Sequence, residues 1–124
     1  MADARSKFKA EYGRCMICGH EWRSADYFPR VLETHEIARG TARSKAVVCR
    51  AAWLVLCREH HVAVGDLSKW PVARQLALKL IRDPEGFDRV AVNRLRGRQD
   101  EAITHDEVLA CVEELRSWLS SDCP

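Results

Sequence analysis

The chain contains no run approaching the roughly 18 consecutive apolar residues needed to cross a bilayer, which argues against a transmembrane helix. Its first residues, Met1 to Lys7, lead into no apolar signal core, so a cytoplasmic protein is expected. Internal repeats and low-complexity linkers are lacking too. Strong charge of one sign is also missing: a net charge of +2 is too weak to indicate nucleic-acid binding by itself. What remains is 124 residues, 47% hydrophobic and 31% charged, the balance of a globular unit with a small core rather than of a disordered chain.

Against these absences the six cysteines stand out. In a reducing compartment, cysteines at this density are expected as metal ligands and buried thiols rather than disulfides. Cys15-x-x-Cys18 and Cys57-x-x-His60 form two x2-spaced pairs about forty residues apart. Each such pair closes a tight turn that aims both side chains at one ion, and two turns complete the tetrahedron of a structural Zn²⁺. His20 is an alternative fourth ligand, though its spacing from Cys18 is less suitable. Cys49, Cys111 and Cys123 read as a core thiol, a helical core thiol and a tail thiol. A redox role for Cys15-x-x-Cys18 is disfavoured, because no strand and helix follow in the order a thioredoxin-like site requires. Trp22, Trp53, Trp70 and Trp118 are expected to pack the core.

Charge is unevenly distributed. Residues 1–66 carry 11 Lys and Arg against 8 Asp and Glu, a balance of +3, whereas residues 67–124 carry 9 against 10, a balance of −1. Across residues 30–50, Arg30, Arg39, Arg43, Lys45 and Arg50 face only Glu33 and Glu36. A phosphate backbone would run there if DNA entered. The plain alternative is a solvated surface, which is also the ordinary reading of Arg94, Arg96 and Arg98.

The residues from Phe8 to Tyr12 suit a short helix stopped by Gly13. Apolar and polar residues roughly alternate from Val31 to Ile37, and Trp53 to Leu56 is a short apolar run that delivers Cys57; these predict two paired strands. Ala38 to Cys49 is too long for a tight turn. Arg58 to Val64 is compatible with a helix ending at Gly65. Beyond it, Pro71 suits a first turn, and Val72, Leu76 and Leu80 with Ala73, Ala77 and Ile81 make an apolar stripe ending before Asp83-Pro84. A shorter helix is expected from Phe87 to Leu95. Thr104 to Glu107 has the spacing of a capping box ahead of Val108, Val112, Leu115 and Leu119, which share one helical face.

Cys15-x-x-Cys18, His35-Glu36-Ile37 and Leu56-Cys57-x-x-His60-His61 together resemble the HNH endonucleases over about residues 12–66. His35-Glu36-Ile37-x-x-Gly40-x-x-Arg43 is similar to a variant seen in phage and prophage members. The resemblance implies an α+β protein with a small zinc-stabilised ββα-metal core (HNH, or His-Me finger) at 1–66, followed by a helical C-terminal extension at 67–124 packed on it. It implies a structural zinc on Cys15, Cys18, Cys57 and His60. A catalytic Mg²⁺, Mn²⁺ or Ni²⁺ would lie on His35 and His61, with Glu36 in the place of the general-base histidine. In an alternative registry His35 is the base, Glu36 is a ligand or an outward-facing charge, and His61 is the chief ligand. Two departures stand out. The family's middle Asn would fall near Ala52 or Trp53, neither of which can orient a histidine, and glutamate is a weaker base than imidazole unless burial raises its pKa.

The implied activity is hydrolysis of DNA phosphodiester bonds in a bacterial or phage-infected host cell, with Arg39, Arg43 and Lys45 on flanking phosphates. The alternative is a noncatalytic zinc module that binds DNA or a protein on the same scaffold.

Overall fold

The computed structural model describes residues 4–19, 32–37, 49–63, 69–97 and 102–121. In these, helix α1 (Ala4–Tyr12) precedes strand β1 (Leu32–Glu36) and strand β2 (Trp53–Cys57), after which come helices α2 (Val72–Arg82), α3 (Arg89–Arg96) and α4 (His105–Ser121). The protein is therefore of mixed α+β type, with no described helix long and apolar enough to cross a membrane. The expected division between residues 66 and 67 lies outside the described residues.

Helix α1 ends where the sequence places a residue able to take a positive φ: Gly13 has φ +69°, and its N–H still bonds the Lys9 carbonyl at 2.9 Å. The chain then turns through Cys15 to Cys18 and is tied to the sheet by a bond from the Met16 N–H to the Val55 carbonyl, 2.8 Å. Strands β1 and β2 pair antiparallel, with Leu32 opposite Cys57 and His35 opposite Leu54.

All five residues of β2 are buried. An alternating strand buries one face, whereas this apolar run is covered on both, by the Cys15 turn and α1 on one side and α2 on the other. Full burial of Leu54, Val55 and Leu56 contributes about 1.5–3 kcal/mol each.

Helix α2 buries more than the stripe expected from Val72, Leu76 and Leu80. Gln75, Leu76, Ala77, Leu78 and Lys79 are buried, while Val72, Ala73, Leu80 and Ile81 are only partly so. The helix lies against the strands on one side and α4 on the other, so two faces are covered. Val108, Val112, Leu115 and Leu119 of α4 are buried as expected, and the N–H of Glu107 donates to Thr104 Oγ1 at 3.2 Å, capping the helix. The shorter helix starts two residues later than expected, after Asp88, whose carboxylate accepts from the Ala91 N–H at 3.0 Å.

Lys79 explains how a charge sits inside this core. Its ammonium donates to the Trp53 carbonyl at 2.8 Å and to Asp83 Oδ2 at 2.7 Å, and lies 4.7 Å from the Phe8 ring centroid. Asp83 also accepts two bonds from Arg50, at 2.8 and 3.2 Å. Burial lowers the pKa of Lys79 although Asp83 opposes this; at Asp83 burial acts upward, but its bonds to Arg50 and Lys79 prevail and hold the carboxyl below 3.8. Glycine at position 86 is required here, because a Cβ would collide with the Asp83 carboxylate and the Arg50 guanidinium.

Trp53 is buried, and Trp70 and Trp118 meet edge to face, 5.9 Å between centroids, with Arg74 against both rings. Cys49 and Cys111 are half-buried against the core. Trp22, Cys123 and His20 lie outside the described residues.

Candidate metal centre and the adjoining histidine pair

Cys15 and Cys18 come from the turn after α1, Cys57 from the last position of β2, and His60 from the turn that follows. The donor atoms of all four lie within 4.8 Å of one another, close enough to hold one metal ion. Among the described residues this is the one cluster of three or more His, Cys, Asp or Glu that meets that geometry. Tetrahedral zinc with ordinary bond lengths separates two sulfurs by about 3.8 Å and a sulfur from a nitrogen by about 3.6 Å. The Cys18 and Cys57 sulfurs are 3.9 Å apart, and His60 Nδ1 lies 3.8 Å from Cys15 Sγ and 3.2 Å from Cys57 Sγ. The donor set and its spacing are compatible with structural zinc.

The two buried cysteines differ in their proton affinity. Burial acts to raise the Cys15 pKa, but bonds from His60 and from backbone N–H groups outweigh it and bring it down to about 6. Cys57 is pushed up instead, by burial first and by the neighbouring Cys15 as well. Crowded thiolates repel one another, and a metal ion removes that cost. The turn is shaped by local bonds: the Gly19 N–H reaches the Cys15 carbonyl at 2.9 Å, and the Ile17 N–H points at Cys15 Sγ, 3.4 Å away.

The helix expected from Arg58 is a π-helical turn in the described residues, Glu59–Ala63. Within it, consecutive histidines serve different neighbours. His60 Nδ1 faces the sulfurs, whereas His61 Nε2 lies 3.2 Å from Nδ1 of His35 on β1, with the two rings edge to face.

The remaining bonds of this pair call for a donor on each outer ring nitrogen. Trp70 O can only accept, so the amide nitrogen of Gln75 is the atom 2.9 Å from it. The amide oxygen of Gln75 therefore faces His35, and Nε2 of His35 donates to it across 2.7 Å. On the other ring, His61 Nδ1 donates to Glu33 Oε1 at 2.9 Å, and Arg58 holds Glu33 Oε2 at 3.1 Å. With both imidazoles neutral, each outer nitrogen carries its ring's proton, and the two facing nitrogens present lone pairs to one another.

Strand geometry explains the arrangement. Glu33 and His35 are two apart on β1 and share a face, and both reach His61. Glu36 leaves the opposite face, where its carboxylate is buried and paired with Arg5 of α1. Gln75 and Glu33 were not expected from the sequence as parts of this site. A polar residue beside the apolar stripe of α2, and a carboxylate two positions before His35 on an alternating strand, were the available signals.

Arg39, Arg43 and Lys45, expected to contact phosphate, and Arg30 lie outside the described residues. Arg94 and Arg96 fall in the last turn of α3, and Arg98 lies outside the described residues. Comparison of the chain with protein-family models, curated proteins and solved structures finds no match.

Proposed function

We propose that the protein is a zinc-stabilised, metal-dependent endonuclease of the HNH type that hydrolyses DNA phosphodiester bonds. The observation that carries this is the pairing of His35 with His61 beside the Cys15, Cys18, Cys57 and His60 cluster. With both rings neutral and both outer nitrogens donating, the two inner nitrogens, 3.2 Å apart, can share one cation, a proton or a metal ion. Two imidazole nitrogens bound to one ion at ordinary lengths are separated by about 2.9–3.4 Å, depending on the angle at the metal. His35 and His61 thus fit a divalent ion, Mg²⁺, Mn²⁺ or Ni²⁺, and imidazole donors favour the latter two over Mg²⁺.

When bound, such an ion supplies Lewis-acid stabilisation of the charge that develops on phosphate and on the leaving 3′-oxygen. The chain itself supplies orientation. Glu33 directs His61 through Nδ1, and a zinc ion held by the preceding residue would fix the turn from which His61 projects. Glu36 stands in the general-base position of the HNH pattern, but it leaves the face of β1 opposite His35 and is paired with Arg5, so taking a proton from water at this ion requires both release by Arg5 and a turn of its side chain to the other face. In the other registry His35 Nδ1 takes that proton and His61 is the chief ligand. Arg39, Arg43 and Lys45 are assigned to flanking phosphates, where guanidinium pairs with phosphate oxygens in a bidentate manner.

The Glu36–Arg5 pair is also what favours a second reading, a noncatalytic zinc module that binds DNA or a protein, because it occupies the carboxylate a catalytic site would need. Nicking of supercoiled plasmid in Mg²⁺, Mn²⁺ or Ni²⁺ separates the two. Metal-dependent nicking that disappears in both His35→Ala and His61→Ala supports the endonuclease, and no nicking with any ion from zinc-loaded protein supports the binding module.

A further inference from the structure

We infer that Gln75, on helix α2 and outside the segment resembling an HNH core, is the positioning residue that sets the tautomer of His35. The inference rests on the endonuclease reading for its purpose, since it concerns which ring nitrogen of His35 is offered to the ion or to a proton. Its structural content stands on the geometry of Gln75 alone.

A neutral imidazole carries its proton on either nitrogen, and the partner of one nitrogen decides the chemistry of the other. His35 Nε2 is 2.7 Å from the amide oxygen of Gln75, an atom that only accepts. The amide is held from flipping by its own bond to the Trp70 carbonyl, 2.9 Å, which needs the nitrogen on that side. Both side chains are shielded from solvent, Gln75 at 5% exposure and His35 at 8%, so water is poorly placed to substitute for either bond. Moving the proton to Nδ1 would leave the Gln75 oxygen facing a bare Nε2 and would turn an N–H toward His61.

The same device recurs across the pair with a different chemistry. Glu33, a carboxylate, holds the outer nitrogen of His61, whereas Gln75, a neutral amide, holds that of His35. A neutral acceptor fixes the proton's place without adding negative charge. Trp70 sits at the start of α2, so the segment that orients His35 is continuous with the helix that packs on β2 and α4. Helix α2 is therefore part of the site and not only a support for it.

The test uses zinc-loaded full-length protein with no second ion, in mildly alkaline buffer, and reads the ring nitrogens of His35 by long-range ¹H–¹⁵N NMR. The native protein is expected to show the proton on Nε2. In Gln75→Leu, which keeps the bulk and removes the acceptor, His35 is expected to become a mixture or to shift to Nδ1–H. Gln75→Glu keeps an acceptor and is expected to restore the Nε2–H form. Titration with Mn²⁺ by calorimetry should show affinity about 10–100-fold weaker in Gln75→Leu, the range typical for loss of a partner behind a metal ligand, and regained in Gln75→Glu. Zinc content should stay the same in all three proteins.

A proton on Nδ1 in the native protein overturns the inference whether or not Gln75→Leu folds. Unchanged tautomer and unchanged Mn²⁺ affinity in a folded Gln75→Leu overturn it as well. Native protein with the Nε2–H tautomer but no Mn²⁺ binding supports the role of Gln75 and overturns the ion site of His35 and His61.

Discussion

His35 Nδ1 and His61 Nε2 face each other across 3.2 Å, one ring carried by a strand and the other by the turn that also supplies a ligand to the thiol cluster. A single step along that turn, from His60 to His61, changes the neighbour from sulfur to imidazole. A metal ion held by the four-residue cluster would therefore constrain His61 through one peptide unit.

Removal of the metal from the Cys15, Cys18, Cys57 and His60 cluster should cost the protein its cooperative unfolding around the two strands. Three sulfurs and an imidazole are crowded within 4.8 Å, and a core this small has few other staples. Purified protein should contain one zinc per chain, and chelation should flatten the thermal melt followed by near-ultraviolet circular dichroism of the aromatic side chains. A sharp transition at an unchanged midpoint after chelation would show that the cluster is not a structural support.

Asp83→Asn should destabilise the protein by about 3–5 kcal/mol near neutrality, because Lys79 is left buried with its countercharge gone. The native carboxyl titrates below its ordinary 3.8, so in the acid range the unfolded chain binds the extra proton. Asp83 accordingly stabilises the fold above about pH 3.8, and that contribution is lost as the pH falls below it. Urea midpoints of native and Asp83→Asn protein should converge on going from pH 7 into that acid range, with metal loss affecting both alike. A constant gap at every pH would contradict the assignment.

Leu115→Ala should cost about 2–5 kcal/mol, through lost transfer energy and a cavity between α2 and α4. The check is a drop in the urea midpoint without change in slope. A loss below about 1 kcal/mol would mean that the two helices close over the gap.

The periodic features were the legible ones. Val108, Val112, Leu115 and Leu119 announce the buried face of α4, and Thr104 announces its start, because propensity, cap and stripe all act locally. The two x2 pairs bring four ligands to one point because each pair closes its own turn, leaving only the meeting of two turns to the fold. Gln75 and Lys79 were not legible as they stand. Both flank the apolar stripe of Val72, Leu76 and Leu80 and read as its solvated edge, until packing on both faces of that helix shows their partners to be His35, Trp53 and Asp83. The turn after Cys57 was expected as an ordinary helix, since the wider π pitch has no local sequence signal.

The most direct test of the central claim is a paired measurement on His61→Ala, its zinc content and its Mn²⁺-dependent nicking of supercoiled plasmid. The expected result is one zinc per chain, as in the native protein, with nicking reduced at least about 100-fold, the scale on which a positioned catalytic group acts. Nicking at the native rate, or loss of the zinc together with the activity, would contradict a separate ion site formed by His35 and His61.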